Sequence, residues 1–289
     1  MDKVLGACIV GVLFTAQLYA AACCGGAGPA SFIQLARLQK YEAVLGSAVV
    51  DALGRYDSEG VLRPENTNRR FSTSLSGAGR INADTEWVVQ VPWVHQLNRA
   101  AGQEFSSSGL GDVGALVRYW LAESLFASDP YPSLIVNAGL RLPTGRPQRF
   151  LGGLLIPATG DGYLSALLGG ALQKRLGSWI VDLSTLLSLP VVLDGNRDGE
   201  RWDTQLALGY SATPRLSLSA GGLHSMRGNR LTGGEIAGGS SGWVIEAFVG
   251  FRYFITRFWA CSLNLQAAMG GHNLVANQSA SLGTSLGFY

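Results

Sequence analysis

Apolar and polar residues alternate with a period of two along most of the chain. The clearest example runs from Ser108 to Gly145. Between Val113 and Leu121 the odd-numbered residues are apolar or aromatic, and between Leu134 and Leu142 the even-numbered residues are apolar. Successive side chains of a strand leave opposite faces of the pleat, so both runs predict β-strands with one apolar face. The opposite faces mix charged, amide and glycine residues with a few apolar ones.

The same alternation predicts about twelve strands. They cover residues 43–56, 69–80, 86–97, 112–121, 134–142, 163–174, 178–189, 202–211, 215–224, 243–253, 258–269 and a last strand that ends the chain at residues 288–289. Long connections are expected to alternate with short ones at every step, and an even strand number returns both chain ends to the same side. Outer-membrane barrels have this rhythm, because their periplasmic turns are short and their outer loops are long.

Composition changes the picture from a soluble sandwich to a membrane barrel. The chain is 47% hydrophobic and only 15% charged, whereas soluble domains carry roughly 25% charged residues. After the first twenty-odd residues, no uncharged apolar run reaches the roughly 18 residues that a membrane helix needs. We therefore predict an all-β fold, a transmembrane antiparallel β-barrel built as an up-and-down meander in residues 42–289, located in the bacterial outer membrane and surrounded by lipid.

The first 22 residues have the pattern of a signal peptide, with Lys3 before the apolar stretch Val4–Ala16 and small residues at Ala20–Ala22. Cleavage after Ala22 leaves Cys23 at the new N-terminus. A lipidated Cys23 and an unmodified N-terminal remnant both remain open. Residues 23–41 are expected to form either a periplasmic segment or a plug in the barrel.

Charged residues gather on the polar parity of the predicted strands. A charge facing hydrocarbon is costly, so this parity is expected to face the lumen. The predicted pore-lining residues are Asp51, Arg55, Arg70, Asp112, Arg118, Arg141, Asp182, Asp203, Glu246 and Arg252. Arg118 and Arg141, in adjacent predicted strands, are candidates for a pore constriction. The alternative is that opposite charges fill a narrow barrel with salt bridges.

Two motifs carry a resemblance to a known family. Gly111 and Asp112 start one strand that ends in Arg118-Tyr119, and the next strand runs into Leu142-Pro143-Thr144-Gly145. This pattern resembles the outer-membrane transporter family named for the meta-pathway of phenol degradation, which is distantly similar to FadL-type channels. The resemblance implies an outer-membrane channel for small hydrophobic or aromatic molecules.

The longest irregular segment, Thr144 to Gly162, is rich in leucine and glycine. We expect it to form the outer binding vestibule or an inward-folded constriction. At the C-terminal end of the chain, the penultimate residue, Phe288, lies on the apolar parity of the last strand. The outer-membrane assembly machinery is therefore expected to recognise Phe288.

One loop resembles half of a calcium site. Asp194, Asn196 and Asp198 place oxygen ligands at alternate positions, with a glycine at the turn. The position of the closing bidentate glutamate is held by Gln205, so a solvated loop without Ca²⁺ is the competing interpretation. We predict no other cofactor. The net charge of +2 and the lack of a basic cluster give no indication of nucleic-acid binding.

Enzymatic motifs are weak. The run from Gly109 to Gly114 matches G-x-G-x-x-G, but a strand follows it instead of the helix that would meet a pyrophosphate. His95, His224 and His272 lie far apart in sequence, and no serine flanks His95 at two-residue spacing. We therefore predict a channel for passive uptake of small, hydrophobic or aromatic solutes. The alternative is a structural or surface-interaction barrel with a closed lumen.

Overall fold

The computed structural model describes residues 40–64, 68–100, 103–123, 130–147, 149–151, 154–191, 197–237 and 240–288. Within them, twelve long antiparallel strands close into one barrel, which confirms the predicted fold class. The strands are β1 (Tyr41–Tyr56), β2 (Asn68–Arg80), β3 (Thr85–Ala100), β4 (Val113–Ala122), β5 (Ser133–Leu142), β6 (Ser165–Leu176), β7 (Trp179–Pro190), β8 (Arg201–Thr213), β9 (Leu216–Arg227), β10 (Gly242–Phe254), β11 (Trp259–His272) and β12 (Val275–Phe288). The predicted signal peptide and all but the last residues of segment 23–41 lie outside the described residues.

Each strand pairs with the next in sequence, and β12 pairs with β1. The closing seam runs from Tyr41 opposite Phe288 to Ala52 opposite Asn277, beyond which Leu53 forms a bulge. Two short strands extend the wall: Leu62–Arg63 pairs with the end of β1, and Gln103–Leu110 pairs with the outer part of β3. Closure leaves no barrel strand with an unpaired edge in the membrane.

The strands are staggered as a barrel of tilted strands requires. Hydrogen-bonded partners can be followed around the wall from Tyr41 at the start of β1 to Trp87 in β3 and on to Trp202 in β8. The same path ends at His272 in β11, which lies at the opposite end of the barrel from Tyr41. A path perpendicular to the strands therefore climbs the whole barrel in one circuit.

The connections define two ends of the barrel. The short-turn end holds residues 81–84, 177–178, 214–215 and 255–258, the longer connection 123–132 and both chain ends, and the long-loop end holds the other connections. The predicted rhythm is wrong at two places: the β4–β5 connection at the short-turn end is as long as the β7–β8 loop, and β11 and β12 are joined at the long-loop end by only Asn273 and Leu274. Asn273 has a φ of 53°, a left-handed conformation that asparagine tolerates in tight turns.

Large apolar side chains cover the outward face. Aromatic residues mark both ends of this apolar band: for example, Trp202 and Tyr210 both face outward on β8 and are 55% and 36% exposed. Their eight-residue separation spans about 27 Å along the strand, or about 20 Å along the membrane normal at a tilt of about 40°, which fits an apolar band about 25 Å tall. None of the described residues forms a helix long and apolar enough to cross a membrane.

Leu206 lies midway between these two aromatic residues and faces outward. We expect Leu206→Arg to destabilise the folded barrel by about 2–4 kcal/mol, because it places a charge at the bilayer midplane. Ala212→Arg, on the exposed short-turn end of the same strand, should cost only about 0–1 kcal/mol. Reversible denaturant unfolding in lipid bilayers measures both values. Equal costs would contradict the assigned membrane band.

Candidate functional site: the lumen and its outer mouth

Seven of the predicted pore-lining residues lie on the inward face of their strands. They are Arg70, Arg118, Arg141, Asp182, Asp203, Glu246 and Arg252, each on the parity whose neighbours are buried. Inward orientation is what the sequence predicted for them. Their role in lining a conducting pore stays a prediction.

Asp51 does not face the lumen, and this expectation is wrong. The buried residues of β1 are the even-numbered ones, so Asp51 points outward, where its carboxylate accepts a hydrogen bond from Arg69 Nε. The inner face of β1 includes Val44, Ala48 and Val50. Because both faces of β1 are largely apolar, the polarity of one aspartate was a poor guide to orientation.

Arg55 does not face the lumen either, contrary to the prediction that it lines the pore. It follows the Leu53 bulge, and its inward-facing neighbour is Tyr56, which packs against Val244 and Ala276. The guanidinium of Arg55 donates to the carbonyl oxygen of Asn273 at 3.2 Å. Arg55 therefore stabilises the rim beside the last turn.

Paired charges occupy the lumen near the short-turn end. Glu86 is fully buried and accepts from Arg80 at 2.8 Å and from Arg118 at 3.4 Å. Arg252, on β10, reaches past two strands to donate to Glu42 of β1 at 3.1 Å. Sequence analysis missed both glutamates as site residues: Glu86 was on the polar parity but unselected, and Glu42 preceded the predicted start of its strand.

A second group of inward carboxylates lies toward the long-loop end. Asp203 accepts from Arg201 at 2.9 Å and from Ser225 at 2.5 Å. Close by, Glu246 is buried and accepts from Gln266 at 2.7 Å. These inward carboxylates are thus balanced by hydrogen-bond donors within the wall.

Arg118 and Arg141 do not form a single constriction. Their strands are adjacent, as predicted, but the β5 partner of Arg118 is Asn137, while Arg141 pairs with Gly114. Arg118 belongs to the Glu86 group, and Arg141 binds Asp161 at 3.1 Å in the outer mouth. The two guanidinium groups therefore act at different depths of the lumen.

An apolar belt crosses the lumen between these charged groups. We use this name for one cluster of buried inward side chains, Val44, Ala78, Val88, Leu116, Leu167 and Leu186, which are 1–6% exposed. Their strands run from β1 to β7. The sequence did not predict this belt, because the inner parity was identified by its charges and its apolar members were passed over.

The opposite wall carries small residues. Inward positions toward the short-turn end of β8 and β9 and along β12 are half-buried and hold alanine, glycine and serine: Ala207, Gly209, Ser217, Ser219, Gly221, Ser279 and Ser281. Short side chains fill little of the barrel interior. One side of the lumen is therefore packed by the belt, and small residues predominate on the inward faces of β8, β9 and β12, with Phe248 of β10 buried over Gly221.

The loop between β5 and β6 folds into the outer mouth. Residues 157–160 are buried, and Ser107 on the inner side of the wall donates to the carbonyl oxygen of Pro157 at 2.8 Å. Thr159 is fully buried and donates to the Leu110 carbonyl at 2.9 Å. The expectation of an inward-folded segment within 144–162 agrees with this arrangement.

Asp112 precedes β4, and its carboxylate holds this loop in place through hydrogen bonds. We call the contacts of Asp112 and Thr144 with the loop and its flanks the clamp. One carboxylate oxygen accepts from Gly145 N at 2.9 Å and the other from Asp161 N at 2.5 Å. A Cβ at Gly160 would lie 2.2 Å from the carboxylate, so only glycine allows this approach. Burial, followed by the charge of Asp161, raises the pKa of Asp112, whereas the two N–H donors favour its ionised form.

Thr144 completes the clamp. Its hydroxyl donates to the Gly111 carbonyl at 2.6 Å and accepts from Val113 N at 3.0 Å. The two sequence motifs at residues 111–112 and 142–145 therefore meet in space and hold the loop against the start of β4. Their observed role is structural.

The candidate calcium loop is described only in part. Asp194 and Asn196 lie outside the described residues. Asp198 is buried and accepts from Arg227 at 3.3 Å and from Arg230 at 3.2 Å. Among the described residues, no group of His, Cys, Asp and Glu is arranged to hold a metal ion. Calcium binding by this loop stays a prediction.

His95 has a serine neighbour that sequence spacing did not reveal. Its Nδ1 shares a hydrogen bond with the hydroxyl of Ser108, which lies directly opposite in the paired short strand. The other neighbour is Phe71, with ring centroids 6.2 Å apart. The pair lies on the outward face of the barrel.

The fold is similar to that of known outer-membrane barrels. The COG4313 outer membrane channel from Pseudomonas putida F1 matches with a TM-score of 0.76 and 17% identity, covering 90% of this chain and 99% of that chain. The translocator domain of the autotransporter NalP from Neisseria meningitidis has a TM-score of 0.55 and 11% identity, covering 86% and 88%. The beta domain of the Bordetella autotransporter Brka has a TM-score of 0.51 and 12% identity, covering 86% and 99%.

At these identities the likeness shows a shared fold. No protein-family model and no curated protein matches the sequence. The resemblance seen in the sequence is thus supported at the level of an outer-membrane barrel, and the bacterial outer membrane is the location that this fold fits. These neighbours are named as a channel and as translocators, and that this chain is not an enzyme stays a prediction.

Asp112→Ala should release the loop in the mouth, because it leaves two backbone N–H groups without their acceptor, at a cost of about 1–3 kcal/mol each when they stay buried. We expect faster tryptic cleavage after Arg149, in the same loop, and a higher single-channel conductance in planar bilayers. Asp57→Ala is the matched control, since Asp57 accepts from two backbone N–H groups in the exposed loop after β1. Equal effects of the two substitutions, or an unchanged conductance in Asp112→Ala, would contradict the assigned clamp.

Proposed function

We propose that this protein is an outer-membrane channel for the passive uptake of small hydrophobic or aromatic solutes. The observation that carries the proposal is the apolar belt beside the small-residue wall. The interior of a water-filled barrel is ordinarily polar, so an apolar belt at its middle needs a functional reason. A neutral solute with an aromatic ring gains apolar contact there and loses little hydration of its own.

The path supported by the geometry has three stages. A solute enters at the outer mouth beside the clamped loop, passes between the belt and the small-residue wall, and leaves past the Glu86 group at the short-turn end. Conduction requires binding that is favourable enough for entry and weak enough for release. A one-sided belt meets this requirement better than a fully enclosed apolar pocket.

The charge arrangement supports neutral solutes over ions. Inward arginines at both ends are matched by carboxylates within hydrogen-bond distance, as for Arg118 with Glu86 and Arg201 with Asp203. Paired charges produce a weaker net field than an unbalanced ring, which is how charge-selective pores discriminate. The fold shared with a named outer membrane channel adds support at the level of the barrel.

The alternative is a barrel with a closed lumen whose outer loops bind a partner. The burial of the belt and of Ala158 and Thr159 in the mouth favours it. A conductance test distinguishes the two functions, because a closed barrel carries no solute flux whichever inward residue is replaced.

Ala207→Trp should reduce solute flux by at least severalfold, because it fills the small-residue wall with a bulky side chain. Leu208→Trp is the matched control: Leu208 is the next residue of β8 but faces outward and is 44% exposed. Swelling of proteoliposomes in a series of small solutes measures both. Flux that is absent in the unmodified protein, or equal in the two variants, would refute the proposed path.

The belt itself is tested by isosteric replacement. The double variant Val44→Thr, Val88→Thr keeps the shape of the lumen and replaces one methyl group by a hydroxyl at each of two buried belt positions, which weakens the contact with a ring that inserts among the belt side chains by about 1–2 kcal/mol. Ion-current block by added benzyl alcohol should weaken by about fivefold or more, while arabinose flux stays unchanged. Val89→Thr, on the outward parity of β3, serves as the control and should leave both readouts unaltered.

A further inference from the structure

The outward face carries a shallow trough of about 490 Å³ across β10, β11, β12 and β1. Its floor consists of two neighbouring rows of outward residues, in which each residue is the hydrogen-bonded strand partner of the next. One row is Ala247, Ala267, Gln278 and Asp51, and the other is Val249, Leu265, Ala280 and Val49. Because the strands are tilted, the trough is inclined to the membrane plane.

Small side chains give the trough its depth. Three alanines form much of the floor, whereas most of the outward face carries leucine, valine and aromatic residues. Met269 stands beside the trough and is 69% exposed, because the register of β10 with β11 shifts there and leaves it without a strand partner. Phe251 lies on the opposite side and is 48% exposed.

One end of the trough is polar. Asp51 lies near the long-loop end of β1 and is paired with Arg69, whose side chain is 49% exposed. Gln278 is the strand partner of Asp51 and is also exposed. An outward charged pair is costly in hydrocarbon and tolerated at the head-group level. The polar end of the trough therefore lies where lipid head groups lie.

We propose that the trough holds one acyl chain of an anionic lipid of the outer leaflet, with the lipid head group at Arg69. The volume falls within the range of roughly 300–1,000 Å³ found for small-ligand sites. A chain lying in the trough makes dispersion contacts with its floor and with both flanks, more than on a flat wall. Arg69 binds Asp51 through Nε and Nη2, and the remaining N–H groups of its half-exposed guanidinium can donate charge-assisted hydrogen bonds to the phosphate of a head group.

A second copy of the barrel fits the trough less well. A two-fold interface would place the trough of one copy against the trough of the other. Two facing depressions leave a void between them, and a void loses the contacts that stabilise association. A flexible hydrocarbon chain fills the depression without a complementary shape.

The test uses the full mature barrel in nanodiscs that contain phosphatidylglycerol or phosphatidylcholine with a diazirine in the middle of one acyl chain. Illumination and peptide mapping locate the labelled strands. We expect labelling of β11 and β12 at least threefold above that of other outward strands, and more with phosphatidylglycerol than with phosphatidylcholine. Arg69→Gln should remove the head-group preference and leave the position of labelling unchanged.

Ala267→Phe fills the trough and should lower the labelling of β11 and β12 to the level of the other strands. Ala138→Phe, at an exposed outward alanine of β5, is the matched control and should leave the pattern unaltered. Heat-dependent mobility in a denaturing gel confirms that each variant is folded. Labelling that is uniform around the barrel, that survives Ala267→Phe, or that is replaced by cross-links between two copies through the trough would overturn the proposal.

Discussion

Inside hydrocarbon, each backbone N–H and C=O group has to find its partner in the protein, because no water is available to replace it. The pairing of β1 with β12 satisfies this requirement for the first and last strands, and the rest of the molecule depends on that closure. Once the sheet is closed, alternate side chains must face lipid and the others must share a narrow interior. Because the outward positions must be apolar, the charged and polar residues of the strands are concentrated at the inward positions.

Charged side chains are buried inside the barrel, and each such charge needs a partner that offsets the loss of its hydration. A buried carboxylate such as Glu86 is tolerated because two guanidinium groups contact it, and removal of either partner would leave a costly unpaired charge. Between the charged groups, the belt packs large apolar side chains on one side of the lumen, and the inward faces of β8 and β9 carry small residues such as Ala207 and Ser219. The loop held by Asp112 then narrows the entrance from outside.

Period-two alternation predicted the strands well, since a strand with one apolar and one polar face has only one orientation in a membrane barrel. It failed in β1, where Asp51 lies on the outward parity and the inward parity holds Val44 and Val50. With both faces apolar, periodicity locates the strand but does not say which face is inside. The apolar belt was missed because the inward parity was identified from its charged residues alone.

The clamp shows a different limit of sequence analysis. The motif residues around Asp112 and Thr144 were recognisable, but their contacts with Thr159, Gly160 and Asp161 join segments far apart in the chain. Local sequence patterns do not predict contacts between segments that are far apart in the chain. The metal interpretation of Asp198 was limited similarly, because Arg227 and Arg230 reach it from beyond β8.

The two-residue turn at Asn273 has a consequence for how the barrel forms. The entropy lost on closing a loop grows with its length, so the β11–β12 hairpin is among the least costly pairings, and the β1–β12 seam joins the most distant strands. Local pairings of this kind form fastest, and those of high contact order form last. The C-terminal hairpin is thus suited to act as a folding nucleus, with the seam as the final step of assembly.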